Sequence, residues 1–157
     1  MEANYEFRGQ DGDERARDLI LRVSAGVKPF ATILLRCPRR VLVPEKTLVD
    51  TLHRLNLHQS IFFTSMGRRT AVVYQGVATL SQYFDADQII ARYAREGVKL
   101  DRELFETPLI RLARHVAFEE FPEDIRLALL GLCFGYPVNE TIDMLQTLAA
   151  GKATART

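Results

Sequence analysis

Five arginines occupy two short, turn-like stretches of this 157-residue sequence and form its strongest candidate for a binding site. They are Arg36, Arg39, Arg40, Arg68 and Arg69. A guanidinium group is always charged, and its planar fork of donors matches carboxylate and phosphate oxygens. If the two stretches adjoin in the fold, they create a small cationic surface for a phosphate or a carboxylate. The alternative interpretation is that each arginine is a solvated loop residue.

The residues that could bind a metal, act as a nucleophile or hold a cofactor do not have the spacing that these roles require. No pair among His53, His58 and His115 is spaced as metal ligands on one helix. Cys37 and Cys133 lie in apolar runs without a Cys-x-x-Cys pattern, so we expect buried, reduced thiols. Neither Gly-x-Gly-x-x-Gly nor Gly-x-Ser-x-Gly occurs. We therefore predict no catalytic residue, no metal ligand and no cofactor.

Paired carboxylates occur at Glu119-Glu120 and at Glu123-Asp124, on either side of a predicted helix start. Negative charge is stabilised there by the helix dipole, which gives these residues a structural role. General acid–base catalysis would instead require one of them to be buried with a raised pKa. An enzyme with a pocket at the sheet edge is the rival interpretation to a binding module.

The composition indicates one globular domain. Hydrophobic residues make up 47% and charged residues 26% of the chain, and the net charge is only +1. Such a chain has no global field to attract nucleic acid or an anionic membrane, although a local patch could do so. No apolar run approaches the roughly 20 residues of a membrane span. The polar, acidic N-terminus does not resemble a secretory signal, so we expect a cytoplasmic protein without a membrane partner.

The first half of the chain predicts a sheet with a helix on each side of its first strand. Asp13 caps a short helix that Gly26 ends, and the apolar run Ala31–Cys37 predicts a central strand. Pro44 suits the first position of a helix that covers the sheet. A hairpin is predicted over residues 59–75, with Gly67, Arg68 and Arg69 in its turn.

The second half predicts helices only, the last two joined at Gly135-Tyr136-Pro137. Pro122 begins the first of these two helices, and Asn139 caps the second, which ends at Ala149. The whole is an α+β fold, a small and mainly antiparallel sheet with helices packed on it. We predict a flexible arm over residues 1–12, a single domain over 13–150 and a frayed tail over 151–157. Tyr136, at an exposed corner, is a second candidate for ligand contact.

Several motifs occur in the same order as in an uncharacterised bacterial family, the domain of unknown function 3793, which this chain resembles. The motifs are Ala25-Gly26-Val27-Lys28, Cys37-Pro38, the basic turn and strand Arg69–Tyr74, Phe121-Pro122 with Ile125, and Gly135-Tyr136-Pro137. Leu21–Ser24 occupies the place of the family's usual Cys-Ala-Pro stretch. The family has no established activity, so the resemblance implies a bacterial protein and transfers no catalytic residue.

A second, more local resemblance is to the promoter-reading helix-turn-helix of bacterial sigma factors. It covers Phe121 to Leu145, where Pro122, Glu123 and Arg126 precede the glycine turn. A DNA reader needs a further recognition helix, and the chain after Leu148 carries too little apolar surface to dock one.

These observations favour a non-catalytic binding module for a protein partner or a small anionic ligand. The alternatives are a small-molecule enzyme and a nucleic-acid-binding regulator. The arginines have no interleaved aromatic residues to stack on bases, which weighs against nucleic acid. A homodimer through an open sheet edge is compatible with the pattern.

Overall fold

A computed structural model describes residues 12–63, 65–118 and 120–155. Within them, four antiparallel strands form one sheet in the order β2-β1-β4-β3, and seven helices pack around it. The strands are β1 Phe30–Cys37, β2 Arg40–Val41, β3 Leu57–Phe63 and β4 Arg69–Gln75. The helices are α1 Gly12–Ser24, α2 Glu45–Arg54, α3 Ala86–Ala94, α4 Arg102–Glu106, α5 Leu109–Phe118, α6 Glu123–Phe134 and α7 Val138–Ala155. The α+β prediction is confirmed.

The two central strands are apolar on both faces because each face is covered by helices. One face carries Ala31, Ile33 and Val73, which pack in a core with α1 and α2. The opposite face carries Phe30 and Tyr74, which pack in a second core with helices of the second half. Alternate residues of a strand point to opposite faces, so β1 and β4 supply both cores at once. Near-continuous apolar runs are the sequence signature of such strands.

Strand β1 changes register near its end. It pairs with β4 without interruption from Phe30 to Leu34, and then the register shifts so that Arg36 opposes Arg69. An extra residue in one strand, a β-bulge, bends the strand and redirects its side chains. The bulge therefore brings two arginines opposite each other at the end of the sheet.

The N-terminal helix is tied to the sheet by one glutamine. The Gln75 amide donates hydrogen bonds to the carbonyl oxygens of Val23, at 2.9 Å, and Ser24, at 3.4 Å. These carbonyls lie in the last turn of α1, and that of Val23 also accepts from the Gly26 amide at 3.1 Å. Gly26 follows with φ +76°, as the predicted left-handed helix end requires.

The two last helices meet in a tight corner. Gly135 has φ +77°, and the Tyr136 amide donates to the Gly131 carbonyl oxygen at 2.8 Å. A Cβ atom on Gly131 would lie 3.1 Å from Thr141 Cγ2 and closer still to its hydroxyl. The predicted Gly-Tyr-Pro corner is confirmed, and a close approach of α6 to α7 explains the glycine inside α6.

Several predicted boundaries differ from the structure. Asp13 lies inside α1, which begins at Gly12, and Asn139 lies in the first turn of α7 instead of capping it. The Asn139 side chain instead accepts from the Arg92 guanidinium at 3.4 Å. Helix α7 continues to Ala155, so residues 151–155 are helical and not a tail. The predicted arm falls, for residues 1–11, outside the described residues.

Candidate functional site

The turn between β1 and β2 and the turn between β3 and β4 lie side by side at one end of the sheet. A Cβ atom on Gly67 would lie only 3.5 Å from Pro38 Cγ. Behind this contact, Arg36 opposes Arg69 across the two central strands. The arginines at positions 36, 39, 40, 68 and 69 are therefore brought together, and they form what we term the arginine end. The condition set in the sequence analysis, that the two stretches adjoin, is met.

The five arginines do not have the same surroundings. Arg69 opens β4, not the turn in which it was predicted, and its side chain is only 23% exposed. It forms an ion pair with Glu45 at the start of α2, and its Nη2 lies 3.5 Å from Glu45 Oε2. The other four are exposed. Arg69 thus fastens the end of the hairpin to α2.

Three of the exposed arginines are unpaired within the described part of the chain. Arg36, Arg39 and Arg40 make no side-chain hydrogen bond or ion pair with any residue that the structure describes. Arg36 and Arg40 belong to paired strand positions, so their backbones are fixed by the β1–β2 ladder. Their guanidinium groups therefore project from a fixed scaffold and keep all their donors available for an external acceptor.

The charge of the chain is unevenly distributed. Residues 30–75, which contain the sheet and α2, have seven Lys and Arg against two Asp and Glu. Residues 76–157 have nine basic against twelve acidic residues, and residues 1–29 have five against six. One of the two acids in the sheet region is Glu45, which is paired with Arg69. A chain of net charge +1 therefore has a cationic sheet region and an acidic helical half.

Tyr136 lies at the opposite end of the sheet. A Cβ atom on the neighbouring Gly135 would lie 3.7 Å from Lys28 Cβ, and Lys28 precedes β1, whose far end carries Arg36. A strand of eight residues spans roughly 25 Å at about 3.3 Å per residue, so Tyr136 and the arginines cannot share one small ligand. Lys28, Gly135 and Tyr136 are termed the corner end. They bring together two of the motifs that resemble the uncharacterised family.

The two cysteines differ in burial. Both are free thiols; Cys133 is fully buried, and burial raises the pKa of its thiol well above the ordinary range. A thiolate there is strongly disfavoured, so Cys133 is a core residue, as predicted. Cys37 is only partly buried, opposite Arg40 in the β1–β2 ladder, so the prediction of a buried thiol is wrong at this position. The strand ends there, which exposes it to the turn.

The histidines and the acids do not converge. His58 stacks on Tyr74 with ring centroids 6.0 Å apart, whereas His115 pairs with Glu120 and contacts the Phe121 ring at 5.1 Å. Burial raises the pKa of the Tyr74 hydroxyl, and the charge of Arg114 opposes that shift. In the described ranges, no group of three or more His, Cys, Asp or Glu side chains is placed to hold a metal ion.

Two surface depressions lie away from the arginine end. One, of about 480 Å³, is lined by residues of α4 and the start of α5; the other, of about 560 Å³, lies around Leu100 between α3 and α4. Neither touches the sheet edge, where the enzyme alternative placed its pocket. The arginine end is instead an outward projection made of two turns.

Two features of this end were missed in the sequence. Glu45 was not connected with Arg69, since the two are 24 positions apart. Val41 and Met66 were not singled out, yet their side chains are 62% and 83% exposed. The signal for these two residues in the sequence was a large apolar residue isolated among turn residues and arginines.

No protein-family model matches the chain, and no curated protein and no solved structure is similar to it. The resemblance to the uncharacterised bacterial family therefore stays a prediction. In the part of the chain that the structure describes, the helices are too short or too polar to cross a membrane.

Proposed function

We propose that this protein is a non-catalytic binding module that uses the arginine end to hold a phosphate or carboxylate group of an anionic partner. The observation that carries the proposal is the convergence of the two turns, in which Arg36 opposes Arg69 and Gly67 lies against Pro38. Two arginine-bearing turns fixed side by side present several guanidinium forks to one acceptor. Bidentate pairing of this kind is among the strongest hydrogen bonding available to proteins.

The unequal surroundings of the arginines support different roles for them. Glu45 offsets the charge of Arg69 and holds the β4 start against α2, so Arg69 acts as a support. Arg36, Arg39 and Arg40 carry uncompensated charge on the same scaffold. A single exposed ion pair contributes only about 0–1 kcal/mol, so useful affinity requires several of these contacts at once. The site therefore suits an acceptor with more than one anionic oxygen.

The ionisable groups with shifted pKa values lie elsewhere in the molecule, which supports binding over catalysis. The lowered carboxyl pKa values belong to Glu96 and Glu123, which are held by Arg92 and Lys152 in the helical half. The raised hydroxyl pKa values belong to Tyr74, Tyr83 and Tyr93 and result mainly from burial. Functional acids and bases usually combine a shifted pKa with a cleft, and these groups do not share one with the arginines.

The compartment and the oligomeric state are also part of the proposal. The proposal is for a cytoplasmic bacterial protein, since two free thiols suit a reducing compartment. Strand β3 is the outermost strand on one side of the sheet, and a homodimer would form most directly there.

The test compares two variants that have the same net charge but lose arginines from different surfaces. The Arg39→Gln/Arg40→Gln variant removes two guanidinium groups from the arginine end, and Arg95→Gln/Arg111→Gln removes two exposed ones from the helical half. Pyrophosphate titration followed by calorimetry should show binding that falls roughly tenfold in the first variant, since two exposed charge contacts at about 0.7 kcal/mol each are lost. The second variant should bind like the natural protein.

Equal binding by both variants, or no pyrophosphate binding by the natural protein, would overturn the proposal. Thermal unfolding of both variants supplies the folding control. Because neither arginine of the first pair has a partner among the described residues, its midpoint should stay unchanged.

A further inference from the structure

The arginine end also carries two exposed apolar side chains. Met66, in the β3–β4 turn, is 83% exposed, and Val41, at the end of β2, is 62% exposed. Met66 has φ +69°, a left-handed conformation that is uncommon for a large residue. The turn is also packed against the neighbouring one through Gly67 and Pro38. Met66 is thus presented at the tip of its turn by a fixed backbone, whereas Val41 lies on the edge strand, one residue pair behind Arg40.

We propose that the arginine end docks on the surface of an anionic lipid bilayer. Met66 enters the boundary between the head groups and the acyl chains, and Arg39, Arg40 and Arg68 contact lipid phosphates. This inference rests on the proposed function and names its anionic partner. It revises the expectation, drawn from overall composition, that the protein has no membrane partner. The contact is peripheral and requires no membrane-spanning helix.

The size of the surface favours a bilayer over a protein partner. The two turns, residues 38–41 and 65–68, comprise eight residues. A stable protein–protein interface uses about 20–30 residues from each side. A bilayer needs no such area, because apolar side chains gain free energy by entering it one at a time and basic residues add attraction to anionic lipids.

The chemistry of the two turns favours a bilayer over nucleic acid. Single-stranded nucleic acid is held by aromatic side chains that stack on the bases, and duplex DNA is read by a helix or a ribbon in a groove. The two turns read Pro-Arg-Arg-Val and Ser-Met-Gly-Arg, with no aromatic residue among them. Exposed valine and methionine have no role against a phosphate backbone, whereas both match the interfacial region of a membrane.

The charge distribution would orient the molecule on such a surface. The sheet region has an excess of five positive charges, and residues 76–157 have an excess of three negative charges. An anionic bilayer attracts the first and repels the second. The orientation of lowest energy therefore places the two turns against the lipid.

The experiment measures sedimentation of the protein with phosphatidylcholine vesicles that contain or lack phosphatidylserine. The natural protein should bind only the phosphatidylserine vesicles, and added salt should weaken the binding. Loss of the two charges in Arg39→Gln/Arg40→Gln should weaken partitioning roughly 25-fold, at about fivefold for each arginine. The helical-half variant Arg95→Gln/Arg111→Gln should retain its binding.

The apolar contribution has its own matched pair of variants. Met66→Asn removes the apolar group and keeps a residue type that accepts positive φ, so the turn should be preserved. It should weaken vesicle binding roughly tenfold, as expected when most of a methionine side chain is no longer buried. Val77→Ser is the control, since Val77 is 91% exposed and follows the opposite end of β4. It should leave binding unchanged.

The outcomes separate this inference from the proposed function. Arginine-dependent pyrophosphate binding without binding to phosphatidylserine vesicles would overturn the membrane inference and leave the proposed function standing. Full vesicle binding by Met66→Asn would overturn the insertion of Met66 in the same way. If the natural protein binds neither pyrophosphate nor vesicles, both proposals fail. Binding to a soluble acidic protein, with none to vesicles, would identify the partner as a protein and also overturn the inference.

Discussion

The two ends of the sheet use the same backbone device in opposite surroundings. Gly67 at the arginine end and Gly135 at the corner end have φ angles of +75° and +77°. Around Gly135, two helices pack closely behind Lys28, and Phe30 contacts Phe134 with ring centroids 5.6 Å apart. Around Gly67, the side chains are charged or exposed. One end therefore stabilises the fold by close packing, whereas the other leaves charged and apolar side chains exposed.

The largest effect should come from filling the space between α6 and α7 behind the corner. A methyl group added by Gly131→Ala would meet the Thr141 side chain, and overpacking of this kind costs about 1–3 kcal/mol. Urea denaturation should show the loss, and Gly131→Ala/Thr141→Ala should recover part of it.

The control for this prediction is the other glycine within these two helices. Gly151 lies in α7 with nothing within 4 Å of an added Cβ, so Gly151→Ala should stabilise the protein by up to about 1 kcal/mol. If Gly131→Ala were equally harmless, close packing would not distinguish the corner end from the rest of the molecule.

A smaller effect is expected at the junction of the arginine end and α2. Glu45→Gln leaves the Arg69 guanidinium without its carboxylate, and a partly exposed pair of this kind contributes about 0.5–1 kcal/mol. The loss in stability should disappear at high salt, because screening weakens the pair in the natural protein. Anion binding at the arginine end should rise, since a negative charge is removed from its base. A drop in binding would show that Glu45 positions the arginines and does not merely offset their charge.

The smallest effect concerns pH and the helices behind the corner. Arg92 and Gln146 hydrogen-bond the Glu96 carboxylate and hold its pKa below its ordinary value of 4.5. A carboxyl group with a lowered pKa in the folded state contributes stability above its unfolded pKa. That contribution is lost as pH falls through the folded pKa. Glu96→Gln should therefore be less stable than the natural protein at neutral pH and equal to it in acid.

The measurement is the urea midpoint across a series of pH values. The control variant is Glu140→Gln, which removes a different exposed carboxylate, on α7. The control should lower the midpoint at neutral pH by less than Glu96→Gln does, because Glu140 lies outside the contacts of Glu96 with Arg92 and Gln146. A difference between Glu96→Gln and the natural protein that persists unchanged in acid would mean that the carboxylate charge is not what joins α3 to α7.

Local patterns predicted the fold well because they are imposed by backbone chemistry. Pro44 and Gly135 mark the boundaries of helices, and the apolar run of β1 marked a central strand, since these residues restrict the backbone or bury a face whatever surrounds them. The bulge that places Arg36 opposite Arg69 had no such local signal. Its position depends on which strand pairs with β1, and that pairing is determined by the packing of the whole sheet.

Contacts between distant residues explain the other differences. The tail was predicted to fray from Gly151 onward, and glycine disfavours a helix by about 1 kcal/mol. In the structure Lys152 forms an ion pair with Glu123 at the start of α6, which holds the last turns of α7 alongside it. Likewise, Asn139 was expected to cap a helix and instead binds Arg92 of α3. Both partners are chosen by tertiary packing, which a pattern of residue types does not record.

Because β1 contributes alternate residues to two cores, the chain is not readily divided into fragments that keep their packing. Phe30 belongs to one core and Ala31 to the other, and the same division continues along β4. A fragment cut after Gln75 would expose Phe30, Val72 and Tyr74 to water, and the severed helices would lose the surface on which they pack. We therefore expect the sheet and the helical half to unfold as one cooperative unit, and a functional study should use both together.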